Sequence, residues 1–227
     1  MQTIIVLTGA GISAESGIRT FRDSDGLWEE YRIEDVATYA AWQNNPKLIL
    51  DFYNQRRRQL ATVEPNAAHY ALAKLEEKFN VQIITQNVDN LHERAGSTKI
   101  LHLHGELTKA RSSIDDELVY DIGYKDLLTG DICEKGSQLR PHIVWFGEAV
   151  PKIIEATELI RKADIAMIIG TSMNVYPAAG LINYAPQNIP KYYIDPNAAN
   201  ASNFSNLIVI KEKAGLGVPV LVEKLLK

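Results

Sequence analysis

The hydrophobic residues of the chain fall into short continuous runs that are separated by segments with helical spacing. Six runs predict buried strands, at residues 4–8, 81–85, 99–103, 165–169, 191–194 and 207–210. Helical patterns lie between them, at residues 46–60, 66–79, 151–162 and 218–226. Because strands alternate with helices, the pattern predicts an α/β fold with a mostly parallel sheet.

Two segments interrupt this alternation and predict a smaller inserted domain. Residues 26–65 contain no strand pattern and are interpreted as a helical insertion, whereas residues 107–140 are polar and irregular. A structureless loop of that length is uncommon inside a compact domain, so we expect the second segment to form a small accessory module. The large domain, a Rossmann-like parallel sheet, is then expected to comprise residues 1–25, 66–106 and 141–227.

Composition narrows the functional classes. Of the 227 residues, 46% are hydrophobic and 23% are charged, as in an ordinary globular protein. The net charge of −4 offers no basic surface for nucleic acid or membranes. Cys133 is the single cysteine, which excludes an intramolecular disulfide. Neither a signal peptide nor a run of about 20 apolar residues is present, so we expect a cytoplasmic protein whose oligomeric state stays open.

A glycine-rich turn follows the first predicted strand directly. Residues 9–14 read Gly-Ala-Gly-Ile-Ser-Ala, which matches G-x-G-x-x-G/A between a strand and the predicted start of a helix. Such glycines let the backbone approach a pyrophosphate, and an ordinary tight turn is the alternative interpretation. No strand ends in an acidic residue about 20 positions later, so the turn does not indicate a plain dehydrogenase.

Six motifs in a fixed order make the chain resemble the sirtuins, the NAD-dependent protein deacylases. The glycine-rich motif runs through residues 9–18 and continues at 20–22 and 26–28; the others lie at residues 85–92, 103–106, 141–148, 170–172 and 175–179. The resemblance covers nearly the whole chain. It implies an enzyme that moves an acyl group from lysine to the ADP-ribose of its co-substrate NAD, releases nicotinamide, and binds acyl-lysine proteins or peptides.

The resemblance implies a catalytic role for residues that follow the second and third predicted strands. His104 matches the family's general base, and an imidazole suits proton abstraction near neutral pH. Asn87 and Asp89 are expected to hold the carboxamide end of NAD and the nicotinamide ribose, and Gln86 a ribose hydroxyl. By periodicity alone His102 is an equal candidate for the base, because residues 102 and 104 would share one face of a strand; only the resemblance selects His104.

The resemblance also implies a set of NAD-binding residues that is spread along the chain. The set comprises Gly9, Ala10, Gly11, Glu15, Ser16, Phe21, Arg22, Gln86, Asn87, Val88, Asp89, Gly170, Thr171, Ser172, Asp195 and Ala214. Arg22 falls in the family's cofactor-binding loop, and a solvated surface charge is the alternative. Ser172 is expected at the adenosine half of NAD. Asp195, after the fifth strand, is expected to take the acidic adenosine-ribose role, and Ala214 to contact adenine through its backbone.

The predicted substrate site combines a peptide segment with an acyl pocket. By resemblance it comprises Ala37, Tyr53, Arg56, Val144, Phe146, Gly147 and Val175. Residues 144–148 match the segment to which the family adds the substrate peptide as a strand. The alternative is that residues 143–146 form a core strand, and the two interpretations are compatible.

The helix predicted at residues 46–60 carries a possible carboxylate clamp. Tyr53 and Arg56 lie three residues apart, so they share a face and could together bind a carboxylate. Arg57 fits the spacing equally well, and a solvated arginine run is a further alternative. A subset of sirtuins that removes acidic groups such as succinyl has this Tyr-x-x-Arg pair and a small residue at the place of Ala37. The resemblance therefore selects Arg56 and implies a desuccinylase that also removes acetyl groups.

The accessory module departs from the family pattern. Most sirtuins bind a structural zinc ion there with four cysteines, whereas residues 107–140 contain only Cys133, with Ser112 and Ser113 where a first pair could begin. His142 is the nearest histidine, and two ligands do not complete a structural zinc site. We therefore expect a metal-free module held together by packing. Alternative functions are an ADP-ribosyltransferase or NAD glycohydrolase, and a non-catalytic NAD or ADP-ribose sensor.

Overall fold

The computed structural model describes residues 1–18, 27–28, 31–198 and 204–227. Its strands are β1 (Thr3–Thr8), β2 (Leu27–Trp28), β3 (Tyr31–Arg32), β4 (Asn80–Thr85), β5 (Ile100–His102), β6 (Gly105–Ser112), β7 (Val119–Asp121), β8 (Leu139–Ile143), β9 (Ile165–Ile169), β10 (Lys191–Ile194) and β11 (Leu207–Ile210). Its α-helices are α1 (Ala10–Ser13), α2 (Ile33–Val36), α3 (Tyr39–Asn44), α4 (Pro46–Leu60), α5 (Ala67–Leu75), α6 (Leu91–Arg94), α7 (Ile153–Ile160) and α8 (Ala214–Leu226). Two 3₁₀ helices span Ala14–Ser16 and Ala178–Tyr184.

Six strands form one parallel sheet in the order β11-β10-β9-β1-β4-β5. Ile4 of β1 lies opposite Val81 on one side and Ile165 on the other. Ile4, Ile5 and Val6 are completely buried, which explains why the strand is an uninterrupted apolar run. The predicted α/β fold with a Rossmann-like parallel sheet is confirmed. The strand order reverses between β1 and β9, and proteins of this class bind ligands at the carboxyl edge of such a switch point.

Helices cover both faces of the sheet. Leu72 and Leu75 of α5 pack with Val218 of α8 on one face. Ile160 of α7 and Leu181 of the second 3₁₀ helix pack on the other face. In the described part of the chain, no helix has the length and apolar character that crossing a membrane requires.

A smaller domain is built on an antiparallel sheet of β7, β6 and β8. The polar segment predicted to be an irregular module therefore contains strands, and their sheet extends from Gly105 to Ile143, beyond the predicted limits of 107–140. A second correction concerns residues 26–65, which were expected to lack strands but include the antiparallel pair of β2 and β3. These strands are too short to show a period in the sequence. Phe52 of α4, Leu107 and Leu139 share the core of this domain.

Helix boundaries follow local signals in some places and tertiary contacts in others. Helix α4 occupies residues 46–60 as predicted, because the side chain of Asn45 accepts a hydrogen bond from the Leu48 N–H and Pro46 stands at the first helical position. Helix α8 begins four residues before the predicted 218. Its early start has a tertiary cause, since the Glu15 carboxylate accepts a hydrogen bond of 2.7 Å from the Gly215 N–H.

Other predicted boundaries differ from the structure by a few residues. Helix α7 begins at Ile153, after the proline predicted to lie in its first turn. Helix α5 ends at Leu75 because the following residues form turns, and β5 covers only Ile100–His102 of the predicted strand at residues 99–103.

The single cysteine is part of a small polar cluster in the accessory sheet. The Cys133 Sγ lies 3.4 Å from the Ser112 Oγ and 3.2 Å from the Ser137 Oγ, and the two serine oxygens are 2.9 Å apart. The Ser112 Oγ also accepts hydrogen bonds from the N–H groups of Ile114 and Asp115. Hydrogen bonds thus join the two chain segments that meet here, residues 112–115 and 133–137.

Candidate active site

A cavity of about 850 Å³ lies between the parallel sheet and the smaller domain. The residues that follow β1, β4, β9 and β10 form one wall, at the carboxyl edge that includes the switch point. Tyr53, Trp145 and other residues of the smaller domain form the opposite wall. The cavity is therefore open to a ligand that spans both domains.

Most residues of the predicted NAD-binding set line this cavity: Gly9, Ala10, Gly11, Glu15, Gln86, Asn87, Val88, Asp89, Gly170, Thr171, Ser172, Asp195 and Ala214. Ser16 is an exception, because it does not line the cavity and its hydroxyl accepts a hydrogen bond of 3.0 Å from the Asn66 side chain. Phe21 and Arg22 lie outside the described residues. All seven predicted substrate residues also line the cavity: Ala37, Tyr53, Arg56, Val144, Phe146, Gly147 and Val175.

The glycine-rich turn after β1 packs directly on the turn after β9. The Gly11 N–H donates a hydrogen bond of 2.8 Å to the Gly170 carbonyl. A Cβ atom at Gly11 would lie 2.7 Å from the Gly170 Cα, and one at Gly9 would lie 2.7 Å from the Thr171 Cβ. Gly170 has a φ of +61° as well, and its Cβ would lie 2.3 Å from the Ile12 N. Side chains are thus excluded here, and bare backbone borders the cavity.

Ser13 connects the two polar side chains that follow β4. Its hydroxyl donates to the Asp89 Oδ2 at 2.9 Å and accepts from the Asn87 Nδ2 at 3.0 Å. Asn87 also donates to the Gly9 carbonyl at 3.2 Å. Burial raises the pKa of Asp89, although hydrogen bonds from Leu91 and Ser13 oppose that shift. Ser13 was absent from the predicted set, and its place in the glycine-rich turn was the only sequence signal for it.

The two candidate histidines have different environments. His104 lines the cavity, and its Nδ1 lies 3.0 Å from the Gln86 carbonyl oxygen. A carbonyl can only accept, so Nδ1 carries the proton and Nε2 of the neutral ring is the basic nitrogen. Burial lowers the pKa of His104, which keeps the ring neutral at pH 7. His102 does not line the cavity, because its ring faces Asn87 and Glu93 instead.

Two neighbouring arginines of α4, Arg56 and Arg57, also have different surroundings. Arg56 lines the cavity beside Tyr53 and is only 6% exposed. Arg57 does not line it, and its guanidinium donates to the Leu107 carbonyl at 2.7 Å and to the Asn54 Oδ1 at 2.6 Å. Burial lowers the pKa of Arg57 to about 10. Arg57 therefore joins α4 to β6, and the idea of a solvated arginine run is wrong for both residues.

Trp145 supports the Tyr53 phenol. The Trp145 Nε1–H donates to the Tyr53 Oη at 2.9 Å, and burial raises the pKa of that phenol. The backbone N–H of Trp145 donates to Glu148, and the Arg140 guanidinium lies 3.6 Å from the centre of the Trp145 ring. Arg140 also forms an ion pair of 2.7 Å with Glu148. These contacts hold the phenol oxygen at the cavity wall.

The predicted peptide segment is an extended loop after β8. The Val144 N–H donates to the His104 carbonyl and the Phe146 N–H donates to the Ala37 carbonyl, both at 2.9 Å. Phe146 pairs with Thr38 in an isolated parallel bridge and is 47% exposed. The core-strand interpretation of residues 143–146 holds for Ile143, which is buried at the end of β8. The chain leaves that strand at Val144, and of the next three residues only Trp145 has a buried side chain.

One group of side chains has the composition of a metal site among the residues that the structure describes. Atoms of Glu93, His102 and Glu106 lie within 4.8 Å of one another. The His102 Nε2 lies 2.7 Å from a Glu93 oxygen, and Lys109 forms an ion pair of 2.8 Å with Glu106. Because each carboxylate already has a cationic partner, we interpret the group as ion pairs rather than as a metal centre.

Comparison with known proteins gives consistent results. The model of the Sir2 family matches residues 9–177. An NAD-dependent protein deacylase of Helicobacter pylori is 56% identical over 227 residues, which is all of this chain and 99% of the relative. The crystal structure of a Sir2 homologue bound to NAD has a TM-score of 0.88 and 37% identity, and the match covers 98% of this chain and 88% of the other. A Sir2 variant bound to a deacetylated p53 peptide and 3′-O-acetyl ADP-ribose has a TM-score of 0.80 and 30% identity, with coverage of 98% and 93%.

Replacing Ser13 with alanine tests the polar cluster. Asp89 and Asn87, both buried, would each lose a hydrogen bond, which we expect to lower the free energy of unfolding by about 1–3 kcal/mol. The loss should be larger at neutral pH than in acid. The reason is that the raised pKa of Asp89 would rise further in the variant, and this penalty disappears once the carboxyl is protonated in both states. Urea unfolding at several pH values measures both effects.

Ser97→Ala is the matched control for this substitution. Ser97 is also buried, and its hydroxyl has no hydrogen-bond partner within the described ranges. Its removal should change the stability little and equally at every pH. Equal losses in the two variants would contradict the role assigned to Ser13.

Proposed function

The chain belongs to the Sir2 family, and on that premise we propose which residues of its cavity bind NAD, move the proton and select the acyl group. The protein is an NAD-dependent protein deacylase, which transfers the acyl group of a modified lysine to ADP-ribose and releases nicotinamide. The observation that carries this assignment is the convergence of the family's motifs on one cavity at the switch point.

The residues at the sheet edge fit NAD. A pyrophosphate needs close approach to the backbone, and the turn at Gly9 and Gly11 offers backbone where any Cβ would clash. Asn87 and Asp89 supply an amide and a carboxylate for the nicotinamide end, and Asp195 is a buried acid for the adenosine ribose. When bound, NAD supplies the ribose carbon that accepts the acyl oxygen.

His104 is proposed as the general base. Its Nδ1–H is fixed on the Gln86 carbonyl, so the basic Nε2 has a defined tautomer and ring orientation. Because burial lowers the pKa of His104, the ring is neutral at neutral pH and its Nε2 can accept a proton. We propose that Nε2 takes the proton of a ribose hydroxyl, which lets that oxygen attack the transferred acyl group.

We propose that the acyl pocket accepts acidic acyl groups such as succinyl, and acetyl as well. A carboxylate that enters the cavity loses water, and this is costly unless a cation and hydrogen-bond donors meet it. Arg56 brings a nearly buried guanidinium to the wall, and Tyr53 brings a phenol held by Trp145. Ala37, which has a small side chain, lines the same cavity. An acetyl group ends in a methyl group and needs neither polar residue.

We propose that the substrate peptide lies along residues 144–148 as an added strand. The N–H groups of Val144 and Phe146 already donate within the protein. The peptide's N–H groups would therefore pair with the carbonyls of this segment, which gives affinity that tolerates many sequences. The exposed Phe146 ring offers apolar surface beside the lysine, and Gly147 and Val175 border the same space.

Two further proposals concern the accessory domain and the location. We propose that the domain contains no structural zinc. Hydrogen bonds from Ser112 to Cys133 and Ser137 join β6 to the turn at residues 133–137, and the apolar core around Leu107 supplies further packing. A cytoplasmic location is proposed from the single cysteine and the composition.

Replacing His104 with alanine tests the base. We expect deacylation to fall by about 10²- to 10⁴-fold, while NAD still binds, because the imidazole moves a proton rather than anchoring the cofactor. Nicotinamide release with and without acyl-peptide, together with calorimetric NAD binding, measures the two effects. Near-normal turnover would reject the assignment, and peptide-independent nicotinamide release by the unaltered protein would favour an NAD glycohydrolase.

Replacing Arg56 with methionine tests the acyl pocket. The KM for a succinyl-peptide should rise by roughly ten- to hundredfold, with a far smaller effect on an acetyl-peptide, because only the carboxylate needs the cation. Tyr53→Phe should act in the same direction but more weakly. Arg58→Met is the control on the same helix, since the side chain of Arg58 is 60% exposed and pairs with Asp126. Equal losses with both peptides would make Arg56 structural.

Metal analysis tests the accessory domain. We expect the purified protein to contain no stoichiometric zinc, and its Tm to be unchanged by a chelator, because a single thiolate cannot complete a closed zinc site. Elemental analysis and thermal unfolding with and without EDTA measure these outcomes. One zinc ion per chain would overturn the proposal.

A further inference from the structure

His102 lies outside the cavity, although it stands two residues before the proposed base. Its Nδ1 lies 3.1 Å from the Asn87 backbone carbonyl oxygen, and its Nε2 lies 2.7 Å from a Glu93 carboxylate oxygen. A carbonyl and a carboxylate only accept hydrogen bonds, so both ring nitrogens must donate. This geometry requires the protonated imidazolium, whereas the contacts of His104 require the neutral ring.

Four successive carbonyls, from Thr85 at the end of β4 to Val88 in the loop that follows, bond to residues 102–107. The Thr85 carbonyl accepts from the Leu103 N–H at 2.9 Å, and the Val88 carbonyl accepts from the Leu107 N–H at 2.8 Å. Between them, the Gln86 and Asn87 carbonyls accept from the imidazoles of His104 and His102. Two of the four bonds thus come from histidine rings. The ring that donates to Asn87 is that of His102, and Glu93 accepts a hydrogen bond from its other nitrogen.

The hydrogen bond to the Asn87 carbonyl helps to fix the orientation of the Asn87 backbone and side-chain amide. The Asn87 N–H donates to the Thr85 Oγ1 at 3.0 Å, and its side-chain amide donates to Gly9 and Ser13 at the cavity wall. If its peptide group turned, the amide would leave that wall and the neighbouring Asp89 would move with the loop. Small displacements of groups that orient a substrate lower rates strongly.

We propose that His102 is a positioning residue for deacylation, whose protonated ring holds the Asn87 carbonyl and thereby orients Asn87 and Asp89 toward NAD. It does not line the cavity and acts only through the loop. The inference rests on the proposed function of that loop in binding NAD.

The charges around the ring favour the protonated form. Burial lowers the pKa of His102, but the hydrogen bond to Glu93 and the negative charges of Glu93 and Glu106 outweigh it, so that the pKa is raised. Glu106 is itself paired with Lys109. The other titratable groups that face the ring are Asp89, a buried acid, and His92, a buried histidine whose pKa is lowered well below its ordinary value, first by burial.

The raised pKa sets the direction of the pH dependence. A group whose pKa is higher in the folded protein stabilises the folded arrangement at low pH, and that contribution is lost as the pH rises through the folded pKa. NAD affinity should therefore fall on the alkaline side as His102 loses its second proton. Glu93→Gln removes the stabilising charge and should shift this fall to lower pH.

Two isosteric substitutions separate the two ring contacts. The amide nitrogen of asparagine falls near the position of Nδ1, and that of glutamine falls near the position of Nε2. His102→Asn can therefore keep the bond to the Asn87 carbonyl, whereas His102→Gln can keep only the bond to Glu93. We expect the Gln variant to weaken NAD binding by about tenfold or more, and the Asn variant to stay within about threefold of the unaltered protein at neutral pH.

Calorimetric titration with NAD between pH 6 and 9, for the unaltered protein and the Asn, Gln and Glu93→Gln variants, tests the proposal. The Tm of each variant is measured alongside its NAD affinity. If His102 had only a structural role, the variants with the lowest Tm would also bind NAD most weakly. The proposal is supported if the Asn variant binds NAD well and has lost the alkaline fall. It is overturned if Asn and Gln weaken binding equally, or if the alkaline fall persists in the Asn variant. Failure of the unaltered protein to bind NAD would instead reject the proposed function.

Discussion

The close approach of two backbone turns at the switch point is the constraint on which the cavity depends. The turn after β1 and the turn after β9 touch through the hydrogen bond between Gly11 and Gly170, at a distance that admits no Cβ on either side. A side chain at either position would force apart the strands that form the centre of the sheet. The same absence of side chains leaves backbone groups at the edge where a pyrophosphate can bind.

Burial and hydrogen-bond partners together set the protonation states of the two histidines near this edge. His104 and His102 stand two residues apart in the chain, yet burial lowers the pKa of the first while Glu93 raises that of the second. A carbonyl partner on one side gives a neutral ring that can accept a proton. A carboxylate in addition favours a cationic ring, in which both nitrogens donate hydrogen bonds and neither can accept a proton.

The smaller domain shows the same division of roles between adjacent arginines. Arg56 lines the cavity, whereas the guanidinium of Arg57 donates to the Leu107 carbonyl and to the Asn54 side chain and so connects α4 to β6. A buried cation is costly to leave unpaired, so these positions are not interchangeable even though the residue type is the same. The position of each arginine on the helix relative to the sheet of β7, β6 and β8 decides which one lines the cavity.

The sequence by itself determined the sheet, the order of the motifs and the family, because strands buried on both faces are continuous apolar runs and the glycine-rich turn has a local signature. It also determined α4, whose cap Asn45 and first residue Pro46 are local signals. Contacts between distant residues decided the rest. The start of α8 depends on Glu15, the position of Asn87 depends on Ser13 and His102, and the choice between Arg56 and Arg57 depends on β6. Local periodicity reports which face a residue occupies, but only the tertiary structure supplies the partner that faces it.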